Sequence, residues 1–120
     1  MKRLVLSLLF LALSGAVAQA DEGRSGTSYL SGCRRVAEAN TKSLNIESTF
    51  EVGRCIGAIS SLLYVGSSLS EPIRFCPPSV VTINQAARVI MKFLDAKPEK
   101  LHEDFRGLAI DALRGAWPCR

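Results

Sequence analysis

Histidine, tryptophan and tyrosine are scarce in this chain of 120 residues, with one, one and two of each, and aromatic residues make up only 7%. The lone imidazole, His102, falls on the outward side of a helix's first turn, where a histidine is far more often solvated than a general base. No Gly-x-Ser-x-Gly nucleophile elbow occurs, and "GAISS", Gly57 to Ser61, lacks that pattern. Glu99, Glu103 and Asp104 read as first-turn acids complementing a helix dipole rather than as a catalytic pair. Neither Cys-x-x-Cys nor Cys-x-x-Cys-His is present, which removes the usual spacing for structural zinc and for haem attachment. The longest basic run is Arg34-Arg35, without interleaved aromatics, so nucleic acid is not an indicated partner. No stretch reaches the roughly eighteen apolar residues of a membrane helix. The chain is therefore expected to be no enzyme and to hold no cofactor or metal.

What is present begins with "MKRLVLSLLFLALSGAVAQA". Two basic residues (Lys2, Arg3), an apolar run from Leu4 to Leu13 and the small-x-small site Ala18-Gln19-Ala20 predict a cleaved signal peptide over residues 1–20. Export places the mature chain, from Asp21, in the periplasm and outside the membrane. Its charge is modest: 15 basic and 11 acidic residues become 13 and 11 without Lys2 and Arg3, a net +2. A polar, flexible tail is expected over residues 21–28 and one domain over 29–119. All four cysteines, Cys33, Cys55, Cys76 and Cys119, lie in that domain. An even count in an exported chain predicts two disulfides.

The spacing of apolar residues predicts an all-α bundle of four main helices. The first, from Thr27 to about Thr41, turns Tyr29, Leu30, Cys33 and Val36 inward and Arg34, Arg35 and Glu38 outward. "STFE", Ser48 to Glu51, has the form of a capping box and opens a second helix to about Leu69, with Val52, Ile56, Ile59 and Leu63 on its core stripe. This helix is rich in small residues, including Gly53, Gly57 and Gly66, and carries no charge between Arg54 and Glu71. Helical glycine costs about 0.5–1 kcal/mol relative to alanine, so close approach by neighbours on several sides is expected, with this helix at the centre. "TINQ" at Thr82 to Gln85 opens a third helix to about Ala96, and Pro98 suits the first position of a fourth that ends near Gly115.

A short turn between the third and fourth helices makes them antiparallel neighbours. Cys76 precedes one and Cys119 follows the other, so the hairpin brings these cysteines together. Cys33 and Cys55 then pair by elimination, one of three connectivities that four cysteines allow. Pro77 and Pro78 stiffen the approach to the third helix.

Four motifs recur in order along the chain: Gly53, Cys55 and Gly57; Cys76, Pro77, Val81, Thr82 and Gln85; Pro98, Glu99 and His102; and Trp117, Pro118 and Cys119. Together they resemble the Rap/Tai family of immunity proteins over roughly Tyr29 to Cys119. The resemblance implies a small all-helical periplasmic protein, often a dimer, that binds and blocks peptidoglycan amidase effectors delivered by type VI secretion. A reading from another class is a periplasmic structural or acid-stress chaperone with no toxin partner, which would need groups that titrate as pH falls.

Two surfaces are candidates for contacts. Val89, Met91 and Phe93 widen the apolar face of the third helix beyond what a small core needs, so a homodimer through this face is expected. The competing occupant of that face is the first helix or the N-terminal segment. For an inhibitor, the candidate partner-binding site is the turn "DAKPEKLH", with Asp95, Lys97, Pro98, Glu99, Lys100 and His102. A rigid polar protrusion loses little entropy on entering a cleft, although a solvated turn would have the same composition.

Overall fold

Helices begin where a side chain can accept one of the first, unpartnered backbone N–H groups, and four such places organise this protein. The computed structural model describes residues 23–120. The signal peptide expected over residues 1–20 lies outside the described residues. Four α-helices follow: α1 (Gly26–Ala37), α2 (Ile46–Val65), α3 (Ile83–Ala96) and α4 (Phe105–Ala116). Single 3-10 turns lie at Gly66–Ser68 and Pro98–Lys100. Among the described residues no strand forms, only an isolated bridge between Ser25 and Asp104.

The caps explain where the helix boundaries differ from expectation. The tail expected over residues 21–28 is already helix at Gly26, because Ser25 caps α1 by accepting from the Ser28 N–H. Gly26 is also buried, and a Cβ there would lie 2.9 Å from a Leu108 methyl. α1 stops at Ala37, short of Thr41, since Ala39 (φ 53°) and Ser43 (φ 57°) turn the backbone into the left-handed region. α2 starts a turn before the expected cap. Asn45 is its N-cap, accepting from the Ser48 N–H at 2.8 Å, while the Ser48 hydroxyl accepts from the Asn45 N–H at 2.9 Å. Ser48 thus takes the third position of a reciprocal box rather than the first. α3 begins as expected, with Thr82 accepting from the Gln85 N–H. Pro98 opens only a 3-10 turn, and α4 waits for Asp104, whose side chain accepts from the Arg106 N–H at 2.9 Å.

The bundle centres on α1 rather than α2. α1 packs against both α2 and α3 and reaches α4 as well. Its Gly32 allows the closest approach, since a Cβ there would lie 2.2 Å from the Glu51 carbonyl oxygen. Gly53 and Gly57, in contrast, face open space. α2 buries one stripe, Ser48, Val52, Cys55 and Ile59, while Ile56 on its expected core stripe is exposed. The remaining core is Cys33 and Val36 of α1; Phe75; Ala86, Ala87, Ile90, Met91 and Leu94 of α3; and Phe105, Leu108, Ala109, Ala112 and Leu113 of α4. Met91 is only 4% exposed, and Val89 and Phe93 are half-buried against the same cluster. The α3 face expected to join two copies is thus largely covered within the chain, where α1 lies against α3.

Both disulfides take the expected partners. Cys33 and Cys55 join α1 to α2 with Cα atoms 5.2 Å apart, wholly buried. Cys76 and Cys119, with Cα atoms 4.9 Å apart, fasten the approach to α3 to the end of α4. The Cys76 N–H donates to the Trp117 carbonyl at 2.8 Å beside that bridge.

Candidate functional site

The turn between α3 and α4 stands on two fastenings. The first is electrostatic. Arg34, in the last turn of α1, donates to both Asp95 carboxylate oxygens, at 2.8 and 3.4 Å, across 61 positions of sequence. This fork-shaped pairing is the geometry in which arginine binds a carboxylate best. It raises the Arg34 pKa and lowers that of Asp95, in both cases chiefly through the hydrogen bond between them. Asp95 is therefore a root of the turn rather than part of its tip.

The second fastening is a backbone seam. The Thr27 N–H donates to the Leu101 carbonyl and the Gly26 N–H to the Glu103 carbonyl, both at 2.9 Å. The Phe105 N–H returns a bond to the Arg24 carbonyl at 2.8 Å, and the Thr27 hydroxyl also reaches Leu101. The first turn of α1, with amides still to satisfy, meets the connection that has carbonyls to offer. Within the turn, Lys100 N–H to Lys97 and Glu103 N–H to Lys100 close successive loops at 3.0 and 2.9 Å.

This framework distributes the expected site residues unevenly. Lys97, Pro98 and Glu99 are exposed together at the tip. Lys100 is half-buried with its ammonium 3.9 Å from the Glu103 carboxylate. His102 lies on the seam rather than in α4, beside Arg24, Ser25 and Asp104. Ser25, His102 and Asp104 share a shallow pocket, yet the Asp104 carboxylate is committed to Arg106 at 2.9 Å and Arg24 at 3.7 Å. A carboxylate held by two guanidiniums does not orient an imidazole for proton transfer. Among the described residues no group of three metal-ligating side chains forms, and no cysteine is free.

Sequence reasoning missed Arg34, read only as an outward charge, and the Arg24–Asp104–Arg106 cluster. Their partners lie far away along the chain or across a cap, and no local pattern marks them. That cluster has a measurable consequence. The Arg106 side chain, aided by the Arg106 backbone N–H and Arg24, holds Asp104 at a pKa of about 2 against partial desolvation. A carboxyl lowered in the folded state stabilises above its unfolded value, near 3.9, and loses that contribution as pH falls through its folded value. Asp104→Asn keeps a competent cap but removes the charge. Its thermal midpoint is expected to depend less on pH than wild type between about 4 and about 2. An unchanged acid limb in a pH series of melting curves would show the cluster to be energetically idle.

Residues 19–119 match the family model described as Rap1a immunity proteins. No curated protein and no solved structure matches the chain.

Proposed function

Because the chain belongs to the Rap1a immunity protein family, which implies an effector as its binding partner, we propose that this partner is a peptidoglycan amidase delivered by type VI secretion. The protein meets it in the periplasm, after signal cleavage, and blocks it without chemistry of its own. The observation that carries the blocking mode is the doubly fastened turn. Lys97, Pro98 and Glu99 project from a base locked by Arg34–Asp95 and by the α1 seam, so inserting them into a cleft costs little ordering entropy. The mixed charges suit a polar cleft, where a tip that satisfies donors and acceptors excludes substrate without being cleaved.

The acid-stress reading has less support. The two aspartates whose pKa values shift, Asp95 and Asp104, are lowered by arginines, so mild acid does not discharge them to open the fold.

Titration of purified peptidoglycan amidases with the exported protein tests the assignment. One of them is expected to lose activity at one equivalent, and failure to inhibit any amidase overturns the amidase specificity. For the turn, Lys97→Ala, Glu99→Ala and Lys100→Ala combined are expected to weaken inhibition about a hundredfold or more, as loss of a central anchor does. A folded triple variant that inhibits as well as wild type would exclude this turn as the plug.

A further inference from the structure

An open groove of about 430 Å³ runs between α2 and the first turns of α1 and α4, with Tyr29, Gly53, Arg54, Gly57, Ser61 and Arg106 on its walls. Both charged walls are arginines, and among the described residues no carboxylate lines it. The floor is bare. A Cβ on Gly53 or Gly57 would meet nothing within 4 Å, and the Ser61 hydroxyl is turned back onto the Gly57 carbonyl at 2.8 Å. A ligand's backbone can therefore lie close to α2.

Arg54 is held ready in this groove. Phe105, wholly buried, stacks on Tyr29 with ring centres 4.1 Å apart and planes 2° from parallel. The Arg54 guanidinium lies over Tyr29 in turn, 4.3 Å from its ring centre, and 5.6 Å from that of Phe50. One of its nitrogens also donates to the Gly23 carbonyl. A guanidinium stacked by its face keeps its edge free for in-plane donation. No carboxylate among the described residues pairs with it. Arg106 commits Nε and Nη2 to Asp104, at 3.2 and 2.9 Å, and its outer Nη1 remains. Asp104 thus offsets Arg106, and the positive charge left over in the groove is that of Arg54.

We propose that this groove receives an acidic segment of the effector, a carboxylate meeting the edge of Arg54 with Arg106 beside it, while the segment's backbone crosses the glycine floor. Charge complementarity names the chemistry, and position names the source. Asp104, which holds Arg106, also borders with His102 and Ser25 the shallow pocket at the α3–α4 seam. The groove therefore adjoins the base of the turn proposed as the plug, within reach of the rim of a cleft that takes its tip. Because Arg54 is already ordered by two rings and a carbonyl, little side-chain entropy is lost when the carboxylate arrives. The inference rests on the effector reading above, but not on the effector's being an amidase.

The test uses the exported protein and a fluorescent, end-capped peptide of alternating glutamate and alanine, with a glutamine counterpart as control. The acidic peptide is expected to bind at low ionic strength and weaken as salt screens the pair, and the neutral one to bind at least about tenfold more weakly. Arg54→Gln should lower acidic-peptide affinity about tenfold, as loss of a charge-assisted pair does. Arg88→Gln, the same change of charge on an exposed site of α3, should not lower it. Gly57→Leu keeps every charge and has room in the monomer, yet fills the groove, and it should abolish binding even if Arg54→Gln fails to fold. Equal affinity for the two peptides overturns the proposal, as does a folded Arg54→Gln or Gly57→Leu variant that binds like wild type. Displacement of the peptide by muramyl tripeptide at equal concentration overturns it in favour of a cell-wall fragment. Where an amidase is inhibited by wild type, Arg54→Gln should inhibit it about tenfold less well, and unchanged inhibition also sinks the assignment. If no amidase is inhibited, the amidase specificity fails, and the peptide measurements still decide the groove.

Discussion

Replacing Phe75 with alanine is expected to cost about 3–5 kcal/mol, a large part of the stability of a domain this small. The ring is fully buried and sits where a neighbour has been shortened to receive it, since a Cβ on Gly66 would lie 2.5 Å from its edge. The Phe75 N–H donates to the Gly66 carbonyl at 3.2 Å, so backbone and ring grip the end of α2 together. Its neighbour Cys76 is held by a disulfide and by the Trp117 carbonyl. The segment therefore has little freedom to collapse into the space left. Denaturant midpoints measure the loss. Gly66→Ala should be costly alone but much cheaper once Phe75 is alanine, and additivity of the two would deny their contact.

The second large effect belongs to the Cys33–Cys55 bridge. A loop closed over 22 positions contributes about 3 kcal/mol in the chain-entropy account. Both sulfurs are completely buried at the junction of α1 and α2, so alanine at both sites also leaves cavities costing roughly 1 kcal/mol more. The Cys76–Cys119 loop is longer, 43 positions, and predicts about 4 kcal/mol. Cys76 is exposed and adds no cavity. The two double variants should therefore lose similar stability by different routes, which paired denaturation curves would show. A loss well under about 1 kcal/mol for Cys33→Ala with Cys55→Ala would mean that packing alone holds α1 to α2.

Legibility in the sequence followed the range of the interaction. α3 was readable because Thr82, Gln85 and the stripe Ile83, Ala86, Ala87, Ile90 and Leu94 are local signals. The Cys76–Cys119 bridge was readable because antiparallel helices fix where their ends meet, and Cys33–Cys55 followed by elimination. α2 misled because its apolar residues run around the cylinder. Val52 and Ile59 mark one stripe, Phe50 and Tyr64 another, and periodicity alone does not say which faces inward. Its glycines pointed to close approach, but the neighbours expected inside the chain are absent at Gly53 and Gly57. The start of α4 was misplaced for a different reason. Pro98 and Glu99 imitate the opening of a helix, whereas the backbone seam pairs Gly26 with Glu103, 77 positions away. The turn was legible as a place, but Arg34 as its anchor was not.

That seam, taken with the Cys76–Cys119 bridge, determines how the fold can come apart. Helical proteins commonly loosen from their termini, where the last turns fray and proteases find purchase. Here the first helix is tied by its opening amides to the segment leading into the last one, and the last is welded by sulfur to the middle of the chain. Peeling off either terminal helix breaks attachments of the other, so their opening is coupled. An internal place open to a protease is the mostly exposed stretch 67–73 between α2 and Phe75. After a cut the fragments stay covalently joined only if the bond broken lies inside a disulfide loop. Residues 67–73 lie between Cys55 and Cys76, outside both, so no sulfur bridges the nick, and packing alone must hold the halves together.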